Sequence, residues 1–492
     1  MKLNFLSLII FGGLLGLTFF QCIPMKDTQT TTTPEIINTP EIQTGTIQPE
    51  WANNAVIYEL NTRQFSKAGN FMEVIKQLPR IKDLGVDIIW FMPIHPISEL
   101  KRKATGDLLV DNIRDPEERK KYQGSPYSVA DYRGVNPDYG TDADFTSMVD
   151  AIHSLGMKII LDWVPNHTGW DHPWITEHPD YYTQKDGKII DPIDYNTGES
   201  WGWTDVADLN YDNQEMRQAM INDMKYWVTN KNVDGFRMDV AHGVPNDFWV
   251  ECAKQLRKSV SGDVYLLAEG EVPEQRNNGA FATDYGWSLH HLLNHIAKGE
   301  NNAGDIDKWY KEDSEKYKRG YHMNFVTNHD ENTWAGTIKE RMGDAGDAMA
   351  VFTFTFEGMP LIYNGQEASL NKRLEFFERD PIEWGNYNKT NFYKKLTNLK
   401  HRNIALAHGE HGGKIQKIAT SDNDNVCAFA RQKDGNKVIT IINMSNKERE
   451  IDIEIDEFAG GYSNLFEEGS VTLPSKMTLK MAPWEYLVFS NN

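Results

Sequence analysis

Cysteine is scarce: three residues in 492, at positions 22, 252 and 427. That scarcity gives no support to a disulfide framework or a cysteine-built zinc site. Cys252 and Cys427 fall in segments of different character and read as buried free thiols. Positive charge is also in deficit. With 51 Lys and Arg against 71 Asp and Glu, the formal net charge is −20, which argues against nucleic acid or anionic lipid as the main partner. One long apolar run follows Lys2, LNFLSLIIFGGLLGLTFF. It falls short of a membrane span with proper flanks and reads as an export signal over residues 1–21.

Residues 22–50 are rich in Thr and Pro and carry no hydrophobic period, the composition of a flexible tether. Cys22, alone between signal and tether, resembles the lipidated cysteine of bacterial lipoproteins. The preceding Phe19-Phe20-Gln21 departs from the small residues such signals prefer. The expectation is an exported protein, anchored by lipid in the periplasm or at the cell surface, with no other membrane contact.

From residue 51 short apolar runs alternate with amphipathic stretches. AVIYEL, VDIIWFMPI, MKIILDWVP, VDGFRMDV, DVYLLAEG, YHMNFVTN and PLIYNGQE read as strands, with helical spacing between most of them. About eight strand–helix units over residues 51–405 predict an α/β fold, a closed (β/α)8 TIM barrel. An open doubly wound sheet is the alternative. Two long polar loops interrupt the pattern, 97–140 after the second strand and 168–210 after the third, the latter an inserted domain B. From 406 to 492 the runs shorten and alternate, which predicts a small antiparallel β-sandwich. The chain also holds 14 Trp, 20 Tyr and 22 Phe, flat apolar faces that serve a core or a sugar-binding cleft.

Polar residues gather at predicted strand ends. Asp162, Asn166 and His167 close the third strand, Arg237 and Asp239 the fourth, Glu269 the fifth, and Asn328, His329 and Asp330 the seventh. In a barrel these positions converge on one rim. Carboxylates brought together there are expensive to desolvate unless they are used. Arg237 and Asp239, two apart, point to the same side of their strand. A rim of Asp, Glu and His suits either glycosidic-bond chemistry or a divalent metal in a sugar isomerase.

Asp162-x-x-x-Asn166-His167, Gly235-x-Arg237-x-Asp239, Glu269 and Phe325-x-x-Asn328-His329-Asp330 resemble the four signatures of glycoside hydrolase family 13, the α-amylase family. SPYSVADYRGVNPDYGT and VADLNYDN resemble two further segments of it, and the similarity spans about residues 51–490. The resemblance implies a retaining hydrolase acting on α-1,4-linked starch-like glucans or maltooligosaccharides, and a monomer. It makes Asp239 the nucleophile, Glu269 the general acid and then base, and Asp330 the stabiliser of the distorted sugar. Arg237 should keep Asp239 ionised. Glu269, with Leu266, Leu267, Ala268 and Gly270 beside it, should have a raised pKa and hold its proton.

The same resemblance makes His167 and His329 donors to sugar hydroxyls and Tyr127 the aromatic beneath the ring. His242 is a candidate contact to the next sugar, and Trp201 with Trp203 a platform on domain B. Calcium is the one cofactor it raises, with Asn166 and Asp208 as ligands. Gly243 stands where calcium-dependent relatives often carry histidine, and no Asp-rich loop occurs in NTRQFSKAGNF. Transglycosylase, debranching and α-glucosidase activities share the catalytic set. A non-catalytic sugar-binding lipoprotein would have lost an acid, whereas Asp239, Glu269 and Asp330 are all present.

Overall fold

Near-continuous apolar strands suit a parallel sheet covered on both faces, and that is how they fold. The structure, a computed structural model, describes residues 47–193 and 197–492. The signal segment, Cys22 and the tether up to residue 46 lie outside the described residues. Eight parallel strands close into a barrel in chain order, the last pairing with the first. They are β1 (Ile57–Leu60), β2 (Ile88–Phe91), β3 (Lys158–Trp163), β4 (Gly235–Met238), β5 (Tyr265–Ala268), β6 (Thr283–Tyr285), β7 (Tyr321–Asn324) and β8 (Met359–Tyr363).

Helices α1 (Phe71–Asp83), α2 (Asp142–Ser154), α3 (Gln214–Asn230) and α4 (Asn246–Ser259) follow the first four strands. Only a short helix, Pro273–Asn277, joins β5 to β6. Then come α5 (Trp287–Lys298), α6 (Gly304–Lys316), α7 (Gly346–Thr355) and α8 (Thr390–Arg402). The helix starts are written in the sequence: Asn70 accepts from Glu73 N–H, and Thr141 with Asp144 forms a reciprocal capping box. In α1, Phe71, Val74, Leu78 and Ile81 form the buried face at helical spacing.

Strand alternation sorts the core into two layers. Ile57, Ile88, Trp90, Ile160, Tyr265, Leu267 and Met323 fill the barrel interior. The residues that alternate with them, such as Tyr58, Ile89, Leu161 and Phe236, face the helices. Continuing the inward series toward the C-terminal rim reaches Glu59, Asp162, Arg237, Asp239 and Glu269.

After β2 a hairpin, 103–105 with 108–109, rises from the long loop. After β3, residues 167–169 pair with 206–208, His167 opposite Asp208, as the stem of domain B. The sandwich comprises β9 (Gln416–Lys417), β10 (Val426–Lys433), β11 (Asn436–Asn443), β12 (Arg449–Glu454), β13 (Gly460–Asn464), β14 (Ser470–Leu473), β15 (Lys476–Met481) and β16 (Tyr486–Ser490). One sheet runs β9-β10-β11-β16-β13-β14 and the other is β12-β15. Phe429, Val438, Ile442 and Val488 join the barrel's outer core beside Phe352 of α7 and Phe356 just past its end. Arg431, fully buried, donates to the carbonyls of Gly413, Phe356 and Ala407 at 2.7–2.8 Å.

Two expectations are adjusted. Residues 47–50, read as tether, already belong to the barrel: Gln48 is buried and donates to Asn53 Oδ1, and Arg257 donates to the Ile47 carbonyl at 2.8 Å. Cys252 is buried as expected, while Cys427 is only partly covered, and both are free thiols. Among the described residues no helix is long and apolar enough to cross a membrane.

Candidate active site

Gly235 opens β4 because nothing larger fits: a Cβ there would lie 2.1 Å from the Tyr265 carbonyl oxygen of β5. Two residues on, the inward Arg237 stands directly across from Asp162 in the β3–β4 register. Its guanidinium serves three carboxylates. Nη1 donates to Asp162 Oδ1 and to Asp239 Oδ1, both at 2.8 Å, and Nη2 pairs with Glu269 Oε1 at 2.6 Å. Nε donates to Tyr285 OH at 3.1 Å, so the fork is fixed on every side. Asp162 also accepts from Trp90 Nε1 at 3.2 Å and Tyr127 OH at 3.1 Å.

Immediately after Asp239 the chain turns through a strained residue. Val240 is left-handed, with φ 46° and ψ 42°, a conformation a β-branched side chain enters only at a cost of about 1–3 kcal/mol. The turn aims Val240 N–H at Glu269 Oε2, 2.7 Å away. Strain in the loop thus positions the second acid against the first.

Asp239, Glu269 and Asp330 line one cavity of about 520 Å³, together with Tyr127, His167, His329 and Trp203. The sequence places the acids at the ends of three separate strands, and the fold brings them to one cleft. His329 Nε2 lies 2.8 Å from Tyr127 OH and 3.3 Å from Asp330 Oδ2. Tyr127 lies nearly parallel to His329 on one side and to Phe376 on the other. His167 is buried beside Trp203, and burial lowers its pKa to about 3, so it is a neutral donor or acceptor.

The ionisation of the two central acids differs from expectation. Burial and the adjacent Glu269 charge hold Asp239 well above the usual carboxylate range, against the pull of Arg237. Burial also works to raise Glu269, but Arg237 and Val240 N–H outweigh it and hold that group below its ordinary value. The Glu269 carboxylate meets Arg237 and the Val240 N–H, which its apolar neighbours in sequence do not reveal. Arg237, read as the partner of Asp239 alone, reaches both acids. Burial likewise raises Asp162 to about 6 despite Arg237, and it raises Asp330 despite His329.

His242 does not line this cavity. It lines an adjoining one of about 730 Å³ with Trp201, Gly243 and Asn246. Of the expected domain B platform, Trp203 faces the acids and Trp201 the neighbouring cavity, their rings 4.9 Å apart. Of the two candidate calcium ligands, Asn166 lies in the loop after β3 and Asp208 on the domain B stem, opposite His167. Asn166 Nδ2 is 3.5 Å from the Gly243 carbonyl and Asn166 Oδ1 is 3.2 Å from His167 Nδ1. Among the described residues no three His, Cys, Asp or Glu side chains are grouped to hold a metal.

Several lining residues escape the sequence reading. Lys103, from the hairpin after β2, pairs with Asp205 of domain B at 3.4 Å, joining the two loops across the cleft. Trp334 follows β7, and Phe376 and Phe377 follow β8, forming an aromatic wall. Their one signal is position, in loops after strand C-termini, where barrel sites form.

Comparison with known proteins agrees with this geometry. A family model described as "Alpha amylase, catalytic domain" matches residues 50–436. Alpha-amylase 3 of Dictyoglomus thermophilum is 26% identical over 468 residues, covering 81% of this chain and 86% of its own. Oligo-1,6-glucosidase of Parageobacillus thermoglucosidasius is 25% identical over 425 residues, covering 70% of each chain. An α-amylase from Lactobacillus plantarum superposes with a TM-score of 0.75 at 28% identity, covering 90% of this chain and 100% of that one.

Proposed function

The chain belongs to the α-amylase family, and from that premise we propose that it is a retaining hydrolase of α-1,4-glucosidic bonds in starch-like glucans or maltooligosaccharides. Glu269 protonates the glycosidic oxygen while a carboxylate oxygen of Asp239 attacks the anomeric carbon. The leaving chain departs with the proton, and the glucosyl unit remains as an ester on Asp239. Glu269 then takes a proton from water, the water oxygen attacks the same carbon, and Asp239 is released. Asp330, His329 and His167 hydrogen-bond the ring hydroxyls, and Tyr127 lies beneath the ring.

The observation that carries this reading is Arg237 holding Asp239 and Glu269 together, at 2.8 and 2.6 Å. The first step needs Asp239 ionised and Glu269 protonated, one proton between the two acids that Arg237 holds. Positive charge developing at the anomeric carbon in the transition state lies against the Asp239 carboxylate and is stabilised by it.

The test is incubation with starch, pullulan and maltoheptaose, followed by product sizing and anomeric analysis. The α-anomer is expected as first product, and the β-anomer would overturn the double displacement. Asp239→Asn should lower kcat about 10³-fold or more with an unchanged unfolding midpoint. The likeness to an oligo-1,6-glucosidase supports a second specificity, for α-1,6 bonds. Cleavage of pullulan at its branch-type linkages, with maltoheptaose left intact, would favour it. An exported, Cys22-lipidated protein is part of the same proposal, tested by loss of membrane association in Cys22→Ala.

A further inference from the structure

One carboxylate at the floor of the cleft has no part in the steps above. Glu59 lies on β1, fully buried, across from Trp90 in register. Its Oε1 faces His329 Nδ1 at 2.5 Å and accepts from the His329 backbone N–H at 3.3 Å. Its Oε2 is buried without a hydrogen-bonding partner among the described residues, so its side-chain hydrogen bonding is spent on His329.

Proton counting around the ring is restrictive. The Tyr127 hydroxyl lies 3.1 Å from Asp162 Oδ2 and 2.8 Å from His329 Nε2; giving its one proton to the Asp162 carboxylate leaves its oxygen to accept from the ring. Asp330 Oδ2, 3.3 Å from the same nitrogen, is a second acceptor. At the opposite nitrogen the Glu59 carboxylate also requires an N–H. With Tyr127 donating to Asp162 and Glu59 ionised, both ring nitrogens carry hydrogen. A buried cation of this kind is costly unless counter-charges lie against it, and here one stands below the ring and one in the cleft.

We propose that Glu59 is a positioning residue that holds His329 doubly protonated, with its Nε2–H aimed into the cleft beside Asp330. The use of that N–H on a sugar rests on the glycosidase reading; the protonation itself does not. The charged and titratable groups facing the dyad are Tyr127 from the loop after β2, Asp162 from β3, Arg237 from β4, Glu269 from β5, Tyr285 from β6 and Asp330 from the loop after β7. Tyr363 of β8 faces Glu59. Burial and Arg237 oppose the positive ring, but Asp330 and Glu59 outweigh them and push His329 up to about 9. Burial raises Glu59 in turn, and His329 pulls it back.

The sequence disguises this role. Glu59 sits in AVIYEL, where its inward neighbours are apolar, and nothing in the spacing joins it to a histidine 270 positions away.

The experiment is ring nitrogen NMR of ¹⁵N-histidine-labelled full chain from pH 6 to 10, with His329→Gln to assign the signal. In the unsubstituted protein His329 should be doubly protonated at pH 7.5 and titrate near pH 9. In Glu59→Gln, which keeps the shape but drops the charge, the titration should fall by at least one pH unit. Turnover of maltoheptaose should fall about ten-fold, with partial rescue by Glu59→Asp. A neutral His329 at pH 7.5 in the unsubstituted protein would overturn the proposal, even if Glu59→Gln failed to fold. An unshifted titration in a folded Glu59→Gln would overturn it too. An imidazolium in a protein that cleaves no glucan would instead remove the glycosidase reading and leave the dyad standing.

Discussion

At the scale of single residues, Arg237 bears the heaviest demand, with Asp162, Asp239 and Glu269 all within 2.8 Å of it. Lysine would keep the charge but lose the planar fork, leaving buried carboxylates without partners. Arg237→Lys should therefore lose about 3 kcal/mol of stability, read from denaturant unfolding, together with most of its turnover. Part of this was legible in the sequence. The R-x-D spacing implies that both side chains point inward, and Gly235 implies a close approach. What strand spacing cannot carry is how far a guanidinium extends sideways, so its hold on Glu269 was hidden. Nor does Val240 announce a left-handed turn, because its β-branched side chain argues for extended backbone.

At the scale of elements, the long apolar staves and the late change to short alternating runs were readable because burial imposes a period. β6 was not: three residues, Thr283-Asp284-Tyr285, are too few to show one. The walls of the cleft were hidden for another reason. Trp334 lies on a single wide helical turn, Glu331–Ala335, and packs on Phe376, whose ring is stacked 6.1 Å from Tyr127. In sequence these aromatics look like core, yet Trp334 is 58% exposed. A flat face left open in line with Tyr127 suits a sugar beyond the reacting one. Trp334→Ala should raise KM for long maltooligosaccharides about 3–10-fold. The KM for maltotriose, kcat and the thermal midpoint should barely move, which initial rates across chain lengths would show.

For the whole molecule, stability should depend on alkaline pH through two buried histidines. His322 on β7 pairs with Asp284 of β6 at 2.7 Å and Asp313 of α6 at 3.0 Å. Burial opposes its charge, but the two aspartates win and push it up to about 9 from an ordinary 6.5. A pKa raised by folding adds stability that is whole below about pH 6.5 and disappears as pH rises through about 9. For this group the loss is on the order of 3 kcal/mol. Urea unfolding should thus show a falling free energy between pH 7 and 10, with a shallower slope in His322→Gln, where only the His329 share remains.

The sandwich looks like a detachable module, and the sequence shift near residue 406 invites a cut there. Yet Phe429 meets Phe352 and Phe356 at 5.9 and 5.6 Å, and Arg431 ties the end of α7 to the segment that leads into the sandwich. Severing the chain at that seam would strip a hydrophobic wall from α7 and leave it sticky in water. Anyone grafting a different appendage onto this scaffold should add it beyond the final strand, and keep the native tail as part of the barrel's own insulation.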